Sequence, residues 1–181
     1  MSKIGIFFGS EEGGTAAIAQ VIFRVLGEDI ADPPLNVNAT RPADLMRYDA
    51  IIAGTPSYGY GELPGRSAGS YGANWEEFLF RFDEPDFKGK RVAVFGLGNQ
   101  VKYGDRFAGS LIHLYRFFHG FGAEVIGQWS TQGYNFTHSN SVIDDAFVGL
   151  VIDHHNQPTL TKDRLLNWLE KIKPSLLQKL D

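Results

Sequence analysis

The fold is decided by the stretch Lys3-Ile-Gly-Ile-Phe-Phe-Gly-Ser-Glu-Glu-Gly-Gly-Thr15, in which an apolar run passes directly into a glycine-rich turn. Residues 3–8 are nearly all apolar, as is typical of a short strand that is buried on both faces of a sheet. Residues 15–26 then repeat apolar side chains at helical spacing, and Gly27 follows as a stop signal. The order of strand, turn and helix predicts the first part of a βαβ unit.

The same alternation continues along the whole sequence. Short apolar runs predict further strands at residues 35–38, 49–53, 91–95, 124–129 and 147–152. Helical spacing or capping signals predict helices that begin at Asn74, with Glu77 completing a capping box, at Leu111, and at Thr161 as N-cap. Strands that alternate with helices favour an α/β fold, in which a doubly wound, mostly parallel sheet carries helices on both faces.

The length and the amino-acid composition favour one compact domain over residues 1–181. A chain of 181 residues is long enough to bury a sizeable core, and the sequence shows no internal repeat, linker or low-complexity segment. It contains no cysteine, which excludes disulfides, thiolate zinc sites and iron–sulfur ligation by this chain. A redox function would therefore need an organic cofactor, or a haem held by other residues.

Charge and hydropathy exclude two classes of partner. The formal net charge of −4 argues against nucleic acid, whose binding proteins usually present a basic face. No stretch approaches the roughly 20 apolar residues that a membrane span needs, and residues 1–8 are too short an apolar run for a secretory signal. We therefore expect a cytoplasmic protein.

Three loops are candidates for ligand binding, because doubly wound folds bind ligands beyond the carboxyl ends of their strands. They span residues 9–15, 54–61 and 96–103. In the first loop, glycines and a helix N-terminus favour a phosphate, with Ser10 and Thr15 as hydroxyl donors. The alternative is a plain tight connection with Thr15 as N-cap.

Other nucleotide and receiver motifs match poorly. The first loop lacks the Gly-Lys-Ser/Thr of a P-loop. A dinucleotide fingerprint starting at Gly96 would have Val101 in place of its third glycine, and it follows the wrong strand. A receiver domain would need an acidic residue where the third strand ends, and that strand ends in Gly54-Thr-Pro56.

The second and third loops each carry a tyrosine in a glycine-rich setting, Tyr58 and Tyr103. A single loop aromatic more often covers the core locally. Two on neighbouring loops, beside a phosphate-type loop, favour stacking on both faces of a flat ring. A phosphate, a polar spacer and a flat heterocycle together describe FMN.

Taken together, five segments resemble the flavodoxin signature, in order and at the right spacing: Gly9-Ser-x-x-Gly-x-Thr15, Gly54-Thr-Pro-Ser-Tyr58, Phe95-Gly-Leu-Gly-Asn-Gln-Val-Lys-Tyr103, Trp129-Ser-Thr-x-Gly-Tyr134 and Phe147-Val-Gly-Leu-x-x-Asp153. The polar stretch 131–146 resembles the insertion that splits the fifth strand in long-chain flavodoxins. Residues 65–73 are similar to an insertion in flavodoxins that serve nitrogenase. The resemblance implies a five-stranded parallel sheet in the order 2-1-3-4-5.

The resemblance also implies which residues bind FMN. The phosphate would be held by Ser10, Glu11, Glu12, Gly13, Gly14 and Thr15. One flavin face and the N5 edge would be lined by Pro56, Ser57, Tyr58 and Gly59, and the pyrimidine side and the other face by Leu97, Gly98, Asn99 and Tyr103. His155 would reach the ribityl chain. The sequence departs from the family pattern at Glu12, Gly14, Asn99, Lys102 and His155.

The function implied is that of a low-potential one-electron carrier without catalytic residues. It would shuttle electrons between a reductase and an acceptor, with nitrogenase as one candidate, through a transient acidic interface near the flavin edge that includes Glu62. We expect a monomer. We also expect no metal, since neither His113 with His119 nor His154 with His155 has the spacing of a shared metal site. The alternatives are an FMN-dependent NAD(P)H quinone or nitro reductase on the same fold, and a non-redox FMN-binding module.

Overall fold

A computed structural model describes residues 3–10 and 12–178. The main sheet is parallel and has the strand order β2-β1-β3-β4-β5, which confirms the predicted topology. Its strands are β1 (Gly5–Phe8), β2 (Leu35–Asn36), β3 (Ala50–Thr55), β4 (Arg91–Leu97) and β5 (Glu124–Ile126). All residues of β1 and β3 are buried, which explains why these strands read as continuous apolar runs.

Helices cover both faces of this sheet. They are α1 (Gly14–Leu26), α2 (Pro42–Met46), α3 (Trp75–Phe80), α4 (Leu111–Gly120) and α5 (Thr161–Leu177). The apolar residues of α1 and α5 pack in one core with Ile6 and Ile52, whereas those of α3 and α4 pack in a second core with Phe7 and Ile51. Neighbouring strand residues thus face opposite cores, as the period of two requires.

The fifth position of the sheet is filled by two separate segments. β5 pairs with the first half of β4, where Arg91 lies opposite Glu124, and β9 (Leu150–Ile152) pairs with the second half, where Phe95 lies opposite Leu150. The chain between them forms a small antiparallel sheet of β6 (Trp129–Ser130), β7 (Val142–Ile143) and β8 (Ala146–Phe147), in the order β6-β8-β7. The predicted split of the fifth strand is confirmed.

Several predicted bounds are corrected. The strand expected at 124–129 ends at Ile126, because Gly127 has a φ of 87°. The strand expected at 147–152 is divided, since Phe147 belongs to β8 and Leu150 begins β9. The strand expected at 35–38 ends at Asn36, whose side chain accepts from the Asn38 N–H at 3.1 Å and starts a 3₁₀ turn.

Two helix starts gave different outcomes. The capping box at α3 is confirmed: the Asn74 N–H donates to the Glu77 carboxylate at 2.8 Å, and the Asn74 side chain accepts from the Trp75 N–H. Thr161 as N-cap is wrong, because it is already the first residue of α5 and its hydroxyl lies 3.1 Å from Nδ1 of His154. The short helix α2, with Pro42 at its first position, was not predicted.

Candidate functional site

The three candidate loops lie side by side, because they follow the neighbouring parallel strands β1, β3 and β4 at the same edge of the sheet. The first and third loops touch: a Cβ added to Gly14 would lie 3.1 Å from Cδ1 of Leu97. The second loop reaches the start of α4, where a Cβ added to Gly61 would lie 3.2 Å from Cα of Gly109. The loops therefore form one continuous edge.

The predicted site residues along this edge are mostly accessible to a ligand. Thr15 is buried, and Glu11 lies outside the described residues. The others are exposed or half-buried: Ser10, Glu12, Gly13, Gly14, Pro56, Ser57, Tyr58, Gly59, Leu97, Gly98, Asn99, Tyr103 and His155. Their contact with a cofactor stays a prediction.

The loop before α1 turns tightly into the helix at Gly13. Gly13 caps the helix with a left-handed φ of 87°, which glycine adopts without steric cost, and its N–H donates to the Ser10 hydroxyl at 3.0 Å. The alternative of Thr15 as N-cap is wrong, because Gly13 occupies that position.

In the described part of this loop, the hydroxyl of Thr15 is the feature that calls for a ligand. Thr15 is 1% exposed, and its Oγ1 is buried with no hydrogen-bond partner. Leaving a buried hydroxyl unpaired costs about 1–3 kcal/mol. It lies in the first turn of α1, where the helix dipole favours negative charge, so a phosphate oxygen would satisfy it. The residues present therefore fit a phosphate group.

The second loop is a tight turn between Tyr58 and Glu62. The Tyr58 carbonyl accepts from the main-chain N–H groups of Gly61, at 2.8 Å, and Glu62, at 3.2 Å. Gly59 and Gly61 have positive φ values of 49° and 100°, which allow the reversal. Tyr60 projects outward and is 77% exposed.

Side chains around the start of α4 hold this turn, and the sequence did not reveal them. The Ser110 hydroxyl accepts from the Tyr58 N–H at 3.1 Å and donates to the Glu62 carbonyl. Nε2 of His113 lies 2.8 Å from the Gly61 carbonyl oxygen. Because these contacts join residues about fifty positions apart, no local sequence pattern could have announced them.

The third loop is fastened by Asp153, at the end of β9. Asp153 is 1% exposed, and its carboxylate accepts from the main-chain N–H groups of Gln100 and Asn156, each at 3.0 Å. Burial acts to raise the pKa of Asp153, but the hydrogen bonds from Gln100 and Asn156 outweigh it and hold the pKa below its ordinary value. Asn156 also donates to Oδ1 of Asn99 at 2.8 Å, so the turn after β9 supports a predicted site residue.

The guanidinium of Arg106 lies between the rings of Tyr103 and Tyr60. Tyr103 is 36% exposed, and Nζ of Lys102 lies 5.2 Å from its ring centroid. The guanidinium carbon of Arg106 lies 4.9 Å from the Tyr103 centroid and 4.7 Å from the Tyr60 centroid. Tyr60, which the sequence did not assign to the site, thus stands beside Tyr103.

Two of the histidines contact polar side chains close to them in the sequence. His138 contacts Asn140 and His154 contacts Thr161, while His155 is exposed in the turn after β9. Within residues 3–10 and 12–178, no three metal-ligating side chains come together as a metal group. In the same residues, no helix is long and apolar enough to cross a membrane.

A parallel α/β sheet with helices on both faces and three glycine-rich loops at one edge defines a protein of the doubly wound class, in which ligands bind beyond the carboxyl ends of the strands. A family model described as Flavodoxin matches residues 6–168. Flavodoxin from Klebsiella pneumoniae is 45% identical over 98% of this chain and 100% of its own length. Flavodoxin 1 from Escherichia coli K12 is 38% identical over 97% of this chain and 96% of its own.

A solved structure agrees with these sequence relatives. The flavodoxin of Fusobacterium nucleatum, described as bound to flavin mononucleotide, superposes with a TM-score of 0.84 at 33% identity, covering 97% of this chain and 99% of that one. The chain belongs to the flavodoxin family.

Proposed function

We propose that this chain is a one-electron carrier that binds one FMN non-covalently at the edge formed by the three loops. Family membership supports this, as does the FMN in the Fusobacterium structure. The observation that carries it is the unpartnered, buried hydroxyl of Thr15 at the start of α1. When bound, FMN would supply reversible one-electron chemistry, while the protein sets its potential.

Residues of the first loop would bind the phosphate. The Thr15 hydroxyl and the N–H groups at the start of α1 would donate hydrogen bonds to it. They lie at the positive end of the helix dipole, which favours a negatively charged ligand. Ser10, Gly13 and Gly14 shape the approach, and Glu12 adds a negative charge nearby. Glu11, which lies between Ser10 and Glu12 in the sequence, is proposed as part of the same phosphate site.

Residues of the second and third loops would hold the flat ring. Tyr58 and Tyr103 would stack on its two faces, with Pro56, Ser57 and Gly59 along one edge and Leu97, Gly98 and Asn99 along another. The hydrogen bonds of Ser110, His113 and Asp153 hold these loops in place within the protein, before any flavin ring binds. Preorganised loops lower the cost of binding.

The partners in this proposal are a reductase and an acceptor enzyme, met by a monomer through a transient interface at the flavin edge. That edge carries both signs of charge, with Lys102 and Arg106 beside Glu62 and Asp105. Residues 1–181 would act as one domain in the cytoplasm.

Nitrogenase is the acceptor to test first. The insertion 65–73 is anchored beside the second loop: the Arg66 N–H donates to Glu77 at 2.8 Å, and the Ser67 N–H donates to Glu76 at 3.1 Å. Tyr71 is fully exposed there. An ordered segment next to the site can contribute to partner recognition.

Replacing Thr15 with valine tests the proposal. The FMN-free variant should unfold at the same or a higher urea concentration, because it loses an unpaired buried hydroxyl. Its FMN dissociation constant should rise about tenfold or more, since a hydrogen bond to a charged group is worth about 1.5–3 kcal/mol.

Thr40→Val is the matched control. The Thr40 hydroxyl is also buried but donates to the Asn36 carbonyl at 2.7 Å, so this variant should lose stability and keep its FMN affinity. Absence of FMN binding by the unmodified protein would overturn the proposed function. Equal affinities of the Thr15→Val variant and the unmodified protein would exclude the hydroxyl as a phosphate ligand.

A further inference from the structure

Arg106 joins two loops of the proposed FMN site through a single side chain. It follows the third loop, and its side chain is 26% exposed. Its Nε donates to the Gly59 carbonyl at 3.1 Å, across 47 positions of sequence. Its guanidinium also lies against the rings of Tyr60 and Tyr103, at 4.7 and 4.9 Å from their centroids.

The peptide between Gly59 and Tyr60 is held at both ends by charged side chains. Its carbonyl accepts from Arg106, and its N–H donates to the Glu62 carboxylate at 2.5 Å. The neighbouring groups of the turn are held from α4, by Ser110 and His113. The orientation of the Gly59 carbonyl therefore depends on Arg106 and Glu62, and of these two only Arg106 bonds the carbonyl itself.

The charge of Arg106 is compensated locally. Its Nη1 lies 2.7 Å from Oδ1 of Asp105, the preceding residue. A guanidinium paired this closely contributes little net field at a distance, and surface ion pairs are further screened by solvent. The effect of Arg106 on the site therefore comes from its planar guanidinium, which stacks on two rings and donates to the Gly59 carbonyl.

We propose that Arg106 is a positioning residue that holds the Gly59 carbonyl and thereby lowers the first one-electron potential of bound FMN. This inference rests on the proposed function. One-electron reduction near neutral pH takes one electron from the reductase and one proton from water, which adds an N–H donor to the flavin. In the proposed geometry the Gly59 carbonyl, which now points toward Arg106, turns toward that donor, and loss of the Arg106 hydrogen bond opposes the first reduction step.

Three substitutions separate the planar donor group from the charge. Arg106→Ala removes the donor, the stacking and the charge. Arg106→Lys keeps the charge but loses the planar group, whereas Arg106→Gln loses the charge and keeps a planar N–H donor. Lys102→Ala is the matched control, since Lys102 is a cation over the same Tyr103 ring whose Nζ stands 5.2 Å from its centroid.

The measurement is spectroelectrochemistry of the FMN-loaded protein. Arg106→Ala and Arg106→Lys should shift the first reduction equilibrium toward the reduced form about fivefold or more, which is about 40 mV at 59 mV per tenfold. Arg106→Gln and Lys102→Ala should stay near the unmodified value. An unchanged potential in Arg106→Ala overturns the inference, as does a potential that Arg106→Lys preserves and Arg106→Gln does not.

A second readout needs no cofactor. In the FMN-free protein, the NMR shift of the Tyr60 amide reports the hydrogen bond accepted by the Gly59 carbonyl, because both belong to one peptide group. Arg106→Ala should move this resonance and Lys102→Ala should not. If the unmodified protein bound no FMN, the proposed function would be wrong, while the amide shift would still test whether Arg106 holds the carbonyl.

Discussion

The carboxylate of Asp153 accepts a hydrogen bond from the main-chain N–H of Gln100 at 3.0 Å, and so ties the end of β9 to the loop that follows β4. The Gln100 side chain continues the connection, since its Oε1 accepts from the Asn135 N–H at 2.5 Å in the inserted segment. Asp153 and Gln100 together thus link the main sheet, the third loop and the insertion.

Asp153→Asn should destabilise the FMN-free protein at pH 7 by about 1–3 kcal/mol, because an amide cannot accept from all of these donors. The folded-state pKa of Asp153 lies below its ordinary value, so its contribution is fully present above the unfolded pKa of about 3.9. That contribution is lost as the pH falls through the folded pKa. Urea unfolding at pH 7, 4 and 3 should show the two proteins converging.

Asp29→Asn is the control for this series, because Asp29 is exposed at the opposite end of α1. It should leave the unfolding midpoint near that of the unmodified protein at pH 7. A difference between Asp153→Asn and the unmodified protein that stayed constant from pH 7 to 3 would contradict the ionised state of Asp153.

Glu12→Thr should tighten FMN binding. Glu12 is exposed in the phosphate loop, where its carboxylate would repel a phosphate dianion. At low ionic strength we expect a dissociation constant about fivefold lower, with the gain shrinking at about 1 M salt, where the Debye length is about 3 Å. Titration of FMN at two salt concentrations measures it.

Glu28→Thr, in the turn after α1, is the control with the same change of charge. It should leave the affinity unaltered. Equal or weaker binding by Glu12→Thr would mean that the Glu12 side chain points away from the phosphate.

Lys102→Gly should lower the second one-electron potential of bound FMN. Lys102 places a cation beside Tyr103, where it would stabilise a negative charge on the fully reduced flavin of the proposed complex. Since the cation is exposed, we expect a shift of tens of millivolts, below the 59 mV that a tenfold change would give. Lys102→Arg keeps the charge and should retain the potential. If both variants matched the unmodified protein, charge at this position would not affect the reduced flavin.

Gly149→Ala should destabilise the fold by about 3 kcal/mol or more. A Cβ at Gly149 would collide with the main-chain carbonyl oxygen of Val94 in β4, which no change of rotamer can relieve. Gly72→Ala is the matched control, because a Cβ there meets nothing within 4 Å. Thermal unfolding of both variants measures the difference, and equal midpoints would argue against this close approach of Gly149 to β4.

The main sheet could be predicted because its strands are buried on both faces and end at glycine-rich turns. The run before Gly9 and the run before Gly54 are both of this kind, and each is a strand in the structure. The small sheet was missed because two-residue strands are too short to show a period. The available signal was the adjacent pair Asp144 and Asp145, a residue type that tolerates the positive φ which both adopt in the turn.

The candidate site was also predicted in part from the sequence and missed in part. Sequence patterns gave the loops, since glycines and hydroxyls cluster in them, and the structure adds the unpartnered Thr15 hydroxyl. Arg106, Ser110 and His113 were missed because their function lies in contacts with a loop about fifty residues earlier. Tyr60 was missed because only its neighbour Tyr58 belonged to a motif.

The division of the fifth strand has a consequence for the order in which the protein matures on the ribosome. Chains emerge from the N-terminus, so β1, β3 and the phosphate loop are available long before Leu150–Ile152 completes the second half of β4. Asp153 emerges directly after that segment, and until then the main-chain N–H of Gln100 lacks its buried carboxylate partner. We therefore expect a nascent chain stalled before residue 150 to capture FMN poorly, even though every loop of the site has already been synthesised.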